Sequence, residues 1–119
     1  MKLVVAIIRP ERLEAVKEAL AEAKVSRLTV SDVQGITPSA AGTSAAAAYA
    51  GDAGGLTAAR RVKLEVGVNE DFVEPAVRAI TAAGITNNQE GESGDGVVFV
   101  LPLDEAIRIR TGERGPEAI

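Results

Sequence analysis

Two neighbouring segments in the last quarter of the chain combine residue types that bind phosphate. The first is the glycine turn Gly94-Asp95-Gly96, and the second places Arg108 and Arg110 two residues apart. Glycines allow close backbone approach and leave N–H groups to form an anion-binding nest. Arginines carry planar, permanent charge, and on a strand both would point to the same face. This pattern indicates a phosphate-binding cleft; an ordinary hairpin turn with a solvated arginine pair is the alternative.

The composition argues against several other kinds of site. The 119 residues include no cysteine and no histidine, which removes disulfides, thiol catalysis, the usual zinc sites and the usual general base. A net charge of −4 and only 3% aromatic residues argue against a nucleic-acid partner. The apolar run at residues 3–8 is too short for a signal peptide, and no run approaches the roughly 20 residues of a membrane span. We expect one cytoplasmic domain without a metal site or tightly bound cofactor.

The pattern of apolar residues predicts an α+β fold. Strands are expected over residues 2–9, 25–33, 62–68 and 97–101, with a short final strand at 106–110. One helix is expected to begin at Pro10 and another to end at Gly84. Either Asn69 or Asp71 can cap the second helix, and Glu74 lies three residues after Asp71 as in a capping box. The order strand, helix, strand, strand, helix, strand is the ferredoxin-like βαββαβ arrangement.

One face of this sheet is expected to remain uncovered by the two helices. We assign Val4, Ala6 and Ile8 to that face, together with alternate residues of the strand at 97–101 and the charged pair Lys63 and Glu65. An open apolar face in a small domain predicts association. Burial of the charged pair is tolerable only if the two side chains pair or meet a ligand.

Residues 36–60 differ in kind from the rest of the chain. They are rich in Ala, Gly, Ser and Thr and show no core-forming period. We interpret them as a long exposed loop, which in a compact domain is usually functional. Residues 45–48 are compatible with a helical turn or with a mobile loop.

The chain resembles the PII signal-transduction family over residues 1–35, 61–80 and 94–119. The resemblance is most specific in the run Arg108-Ile109-Arg110-Thr111-Gly112-Glu113. It implies a single domain over residues 1–119, with a long loop at 36–60, a phosphate-side loop at 85–96 and a C-terminal segment at 105–119. It also implies a homotrimer that binds ATP or ADP between subunits and has no catalytic residues. Such a regulator would control a transporter or metabolic enzyme, in nitrogen regulation, through the long loop.

The resemblance also implies which positions line the nucleotide cleft. The two glycines of the turn would offer N–H groups to phosphate, the two arginines would neutralise it, and Thr29 would face the base. Tyr49 would anchor a partner. The full set of nucleotide-binding positions is Thr29, Gly35, Ile36, Thr37, Pro38, Glu65, Gly67, Gly94, Asp95, Gly96, Val97, Arg108 and Arg110.

Several positions depart from the family pattern. Val97 stands where the family has a phosphate-binding lysine, and Ser39 stands where it has a glutamine that helps to hold Mg²⁺ with 2-oxoglutarate. Gly54 replaces a tyrosine that some relatives modify. We therefore expect little advantage of ATP over ADP and little effect of 2-oxoglutarate. Two further functions stay open: a trimeric scaffold that has lost nucleotide sensing, and a weak ATP-hydrolysing enzyme that orients water with Asp95 or Glu65.

Overall fold

The computed structural model describes residues 1–38, 56–86, 90–92 and 94–119. They form a four-stranded antiparallel sheet with two helices on one face. The strands are β1 (Lys2–Ile8), β2 (Thr29–Pro38), β3 (Leu56–Val68) and β4 (Gly96–Pro102), in the spatial order β2-β3-β1-β4. The predicted ferredoxin-like βαββαβ arrangement is confirmed.

Each helix buries one apolar stripe against the sheet. A 3₁₀ turn, Pro10–Arg12, leads into α1 (Leu13–Glu22), and α2 spans Glu70–Gly84. The fully buried positions of α2 are Ala76, Ile80 and Gly84, four residues apart as one helical face requires. Of the two predicted caps, Asn69 occupies the N-cap position, although its side chain makes no capping bond, and the capping box is wrong because the helix begins before Asp71. None of the described helices is long and apolar enough to cross a membrane.

The core lies between the sheet and the helices, and it corrects one face assignment. Val4, Ala6 and Ile8 are at most 2% exposed on the helix side, and the prediction that they face the open side is wrong. In the antiparallel register they lie opposite Val66, Leu64 and Val62, which set the core side. Strand side chains alternate with a period of two, so an error of one residue moves the whole set.

The open face of the sheet is apolar, as predicted, but is built from the alternate residues. Val5 of β1 lies opposite Phe99 of β4, and Ile7 lies opposite Val97. Phe99 is 52% exposed and Val97 is 46% exposed. On β3, the ammonium group of Lys63 lies 3.6 Å from the carboxylate of Glu65. Of the two conditions set for burying these charges, a pair or a ligand, the structure shows the pair within one chain.

β2 and β3 continue beyond the end of β1 as a two-stranded ribbon. Beyond the last residue of β1, their ladder runs from Val33 opposite Arg61 to Pro38 opposite Leu56. The predicted loop of residues 36–60 is therefore wrong at both ends, because backbone pairing carries the strands into a stretch without apolar periodicity. The second strand also begins at Thr29 instead of residue 25. The predictions made for Ser39, residues 45–48, Tyr49 and Gly54 lie outside the described residues.

Candidate functional site

The predicted site residues lie at two opposite ends of the sheet. Gly96 is level with Ile8 and Val62, whereas Gly67 lies opposite Leu3 at the far end. Val68, the last residue of β3, lies six positions after Val62, which is about 20 Å at about 3.3 Å per residue. Because Arg108 borders the same cleft as Gly67, the glycine turn and Arg108 do not meet within one chain.

The glycine turn has a backbone that only glycine allows at its second glycine. Gly96 has a φ of +132°, and a Cβ placed there would overlap the carbonyl oxygen of Ile7. Gly94 also has positive φ, +91°. The N–H of Asp95 donates to the carbonyl oxygen of Glu92 at 3.1 Å. The Asp95 amide of the turn is thus engaged inside the chain and does not point to a ligand. The turn lies close to β1, and β4 begins at its second glycine.

The carboxylate of Asp95 holds this turn in place. It accepts bonds from the Thr86 hydroxyl at 2.6 Å, the Thr86 N–H at 3.1 Å, the Glu92 N–H at 2.9 Å and Nε of Arg9 at 3.1 Å. These bonds, the Thr86 hydroxyl first, hold the pKa of Asp95 well below its usual range. A carboxylate with such a low pKa and four donors is a structural anchor and a poor base.

Two arginines that the sequence analysis did not assign to the site converge on the turn. A Cβ on Gly94 would lie 3.3 Å from Nη2 of Arg9 and 3.5 Å from Nη2 of Arg61. Gly35 joins the same end, since its Cβ position lies 3.2 Å from Cγ of Arg61. Antiparallel pairing of β1 with β4 is the feature that would have predicted Arg9, because it places the residue after β1 beside the residue before β4. These guanidinium groups supply positive charge beside a turn whose next residue, Val97, supplies none.

The other end of the sheet carries a cleft of about 280 Å³. It lies between the loop after α1, the end of β3, the start of α2 and the C-terminal segment. Its lining includes three cations, Lys24, Arg27 and Arg108, beside Gly67. Lys24 has a φ of 65°, in the left-handed region that favours glycine. This end of the sheet therefore places three cations beside a glycine.

Arg108 lies on a turn and not on the predicted final strand. After β4, in residues 103–119 as the structure describes them, strand-like pairing is limited to a single bridge between Ile107 and Arg114. Gly112 has a φ of +73°, and its N–H donates to the Arg108 carbonyl oxygen at 2.8 Å. The turn rather than strand alternation places Arg108 half-buried and Arg110 exposed, so the prediction that both share a strand face is wrong.

Internal partners hold the Arg108 guanidinium. Nη1 lies 3.3 Å from Oε1 of Glu113, and Nη2 donates to the carbonyl oxygen of Glu117 at 3.0 Å. The Thr111 hydroxyl donates to the same Glu113 oxygen at 2.8 Å. The motif that resembles the family thus folds as one hydrogen-bonded turn around its first arginine.

The remaining predicted residues lie on the two long strands. Thr29 lies opposite Glu65 at the start of β2. Ile36, Thr37 and Pro38 lie on the ribbon, where Ile36 is 62% exposed. Among the side chains that the structure describes, no three Asp, Glu, His or Cys residues form a group that would hold a metal ion.

Comparison with known proteins identifies the family. The family described as "Nitrogen regulatory protein P-II" matches residues 1–113. The chain is 46% identical to "Nitrogen regulatory protein GlnK1" of Methanosarcina mazei, over 100% of this chain and 97% of that protein. It is 42% identical to "Nitrogen regulatory protein P-II" of Cereibacter sphaeroides, over 100% of both chains. With a family match over nearly the whole chain and relatives at these identities, the chain belongs to the P-II family of nitrogen regulatory proteins.

Proposed function

We propose that this chain is a cytoplasmic, trimeric regulator that binds ATP or ADP between subunits. We further propose that it controls a transporter or a metabolic enzyme through the segment between β2 and β3. The observation that carries the proposal is the division of the site. The glycine turn with Arg9 and Arg61 lies at one end of the sheet, and Arg108 with Gly67 lies at the other.

A head-to-tail contact between copies joins these two ends. A heterologous interface uses two different surfaces of each subunit, and it closes into a ring if the rotation permits. The end that carries Gly94 in one subunit would meet the end that carries Arg108 in the next. A ring of three then has three equivalent clefts, each lined by two chains.

The open face of the sheet gives this ring an apolar interior. Phe99, Leu101 and Val97 are 52%, 44% and 46% exposed in the single chain. Removing such surface from water stabilises an assembly by about 25 cal/mol per Å². The ion pair of Lys63 with Glu65 on the same face accompanies the apolar side chains into the interface as a paired charge.

The two carboxylates that an ATP-hydrolysing enzyme would use already have partners in this chain, which supports binding without catalysis. Asp95 is engaged by Thr86, Glu92 and Arg9. Glu65 lies 3.6 Å from the Lys63 ammonium. A general base needs a free carboxylate oxygen within reach of the water it activates. The relatives are themselves named as regulatory proteins.

The test of the nucleotide site is calorimetric titration of the assembled protein with ATP and with ADP. Arg108→Ala should weaken binding by roughly 2 kcal/mol, about thirtyfold, because a charge-assisted bond to phosphate is lost. Arg78→Ala is the matched control, since Arg78 is exposed on α2 and removes the same charge elsewhere. Unchanged affinity in Arg108→Ala would mean that the family site is not used and would favour the trimeric scaffold.

A second titration tests the departures at Val97 and Ser39. With Mg²⁺ present, we expect saturating 2-oxoglutarate to change ATP affinity little, and ATP to bind about as tightly as ADP. Coupling between two ligands is reciprocal, so one direction of titration is sufficient. A tightening of about tenfold or more, about 1.4 kcal/mol, would mean that other ligands replace the missing glutamine.

A deletion can test whether the segment between β2 and β3 acts separately from the nucleotide site. Pro38 lies opposite Leu56 at the last described pair of the ladder, so a short turn inserted there would replace residues 39–55. We expect this variant to bind nucleotide with unchanged affinity. A loss of nucleotide binding would show that the segment contributes to the cleft itself.

A further inference from the structure

The last residues of the chain lie across the cleft that contains Arg108. We call residues 115–119 the C-terminal strap. Nη2 of Arg108 donates to the carbonyl oxygen of Glu117 at 3.0 Å, and Nδ2 of Asn69 donates to that of Pro116 at 3.1 Å. Cδ1 of Ile119 lies 3.8 Å from the position that a Cβ on Gly67 would occupy. The strap therefore meets the cleft at Arg108, beside Gly67 and at Asn69, the residue before α2.

The strap uses the donor that a phosphate would use. With Nη2 of Arg108 bonded to the strap and Nη1 facing Glu113, the terminal nitrogens of the guanidinium fork are both engaged. Bidentate phosphate binding requires two parallel N–H groups of that fork. A guanidinium has five N–H groups and the strap occupies one of them, so a phosphate that bridges Nη1 and Nη2 competes with the strap for Nη2.

We propose that the C-terminal strap is an autoinhibitory element that must leave Arg108 before a nucleotide phosphate binds there. The inference rests on the proposed nucleotide function of the cleft. It makes the strap a built-in competitor that sets the affinity of the site. Binding then selects the conformation in which the strap is released.

The strap is held weakly enough to be displaced by a multiply charged ligand. It is a single 3₁₀ turn, Gly115–Ala118, with no buried residue. The two side chains that bond it, Arg108 and Asn69, both donate to backbone carbonyl oxygens, and a carbonyl oxygen is a weaker acceptor for a guanidinium than phosphate is. Asn69 also has a buried Oδ1 without a hydrogen-bond partner, so its amide is only half satisfied by the strap.

The central experiment removes residues 116–119 and keeps Gly115, whose N–H donates to the Ala106 carbonyl oxygen at 2.9 Å. We expect the shortened chain to bind ATP and ADP about tenfold more tightly. Asn69→Ala, which removes one strap contact, should tighten binding about threefold. Glu117→Ala is the matched control: it keeps the carbonyl oxygen that Arg108 uses and should leave affinity unchanged.

The outcomes separate the strap from the site it covers. If the shortened chain binds no more tightly while Arg108→Ala still weakens the full chain about thirtyfold, the strap is not inhibitory and the nucleotide function stands. If neither chain shows binding that depends on Arg108, the proposed nucleotide function itself is wrong.

A second measurement uses the full chain and does not depend on the folding of a shortened one. Carboxypeptidase should remove residues from the strap faster when ATP or ADP is bound, because the nucleotide releases it from Arg108. The Arg108→Ala variant should be digested at a rate that nucleotide does not change. Slower digestion of the full chain with nucleotide would mean that the strap closes over the ligand, and would overturn the proposal.

Discussion

Both faces of the sheet carry large apolar residues, and they differ in what covers them. On the helix side, Val4, Leu64 and Ile80 are at most 2% exposed. On the other side, Phe99 and Leu101 are 52% and 44% exposed. The helices bury the apolar residues of the first face, whereas the apolar residues of the second face remain exposed in the single chain. The helices therefore account for the stability of the subunit, whereas the open face accounts for its proposed assembly.

The largest expected effect lies on the covered face. Leu64→Ala should lower the free energy of unfolding by about 2–5 kcal/mol, because it leaves a cavity under both helices. Urea denaturation followed by circular dichroism measures this loss. Val97→Ala, on the open face, is the matched control and should cost the isolated subunit much less. Equal losses in the two variants would show that the faces do not differ in their contribution to the subunit.

Gly96→Ala should have the next largest effect, because β4 belongs to both faces and begins at this residue. The added Cβ would overlap the Ile7 carbonyl oxygen, and the positive φ adds strain, at a cost of about 1–3 kcal/mol. Gly112→Ala is the control: its φ is +73° but nothing lies within 4 Å of a Cβ there. Thermal unfolding measures both changes. If Gly112→Ala lowers the melting temperature more than Gly96→Ala, the close packing of Gly96 against β1 is not what stabilises this region.

Phe99→Ser should separate assembly from folding. It replaces a large apolar side chain that is 52% exposed on the open face, so the subunit should lose less than about 1 kcal/mol of stability. The proposed ring should dissociate, and light scattering at micromolar concentration should report the mass of one chain. A variant that keeps the mass of three chains would mean that the open face is not the interior of the assembly.

The smallest expected effect is a pH dependence at the glycine turn. The folded state lowers the pKa of Asp95, so its contribution to stability is present above the unfolded value of about 3.9 and is lost as pH falls below it. Asp95→Asn should be less stable than the native chain at about pH 7, and the gap should narrow towards about pH 3. Asp104→Asn, at an exposed position, is the control. A gap that stays constant with pH would show that the charge of Asp95 does not hold the turn.

The order of the elements could be predicted from the sequence because each has a strong local signal. Pro10 opens the first helical turn, the apolar stripe of α2 has a helical period, and β3 alternates through Val62, Leu64 and Val66. The face of β1 was assigned wrongly because its run of apolar residues has no polar partner positions to show which side is inward. Only pairing with β3 determines that side.

The arrangement of the predicted site residues could not be predicted from the sequence. Gly94, Gly96 and Arg108 are recognisable by type and spacing, but their separation along the sheet depends on tertiary structure. The contacts of Asp95 with Thr86 and Arg9 have sequence separations of 9 and 86 residues. A pattern confined to a few neighbouring residues does not contain such contacts. The turn at Gly112 likewise replaced an expected strand, because a positive φ ends alternation.

The placement of the two proposed half-sites at opposite ends of one sheet has a consequence for rings of mixed composition. Consider subunits of two kinds in the proposed trimer, one damaged near Gly94 and the other at Arg108. Each cleft takes its glycine turn from one subunit and its arginine from the next. Any ring that contains both kinds then has one cleft with two intact halves and one cleft with two damaged halves. Two chains that each fail alone would thus restore one working site when they are made together.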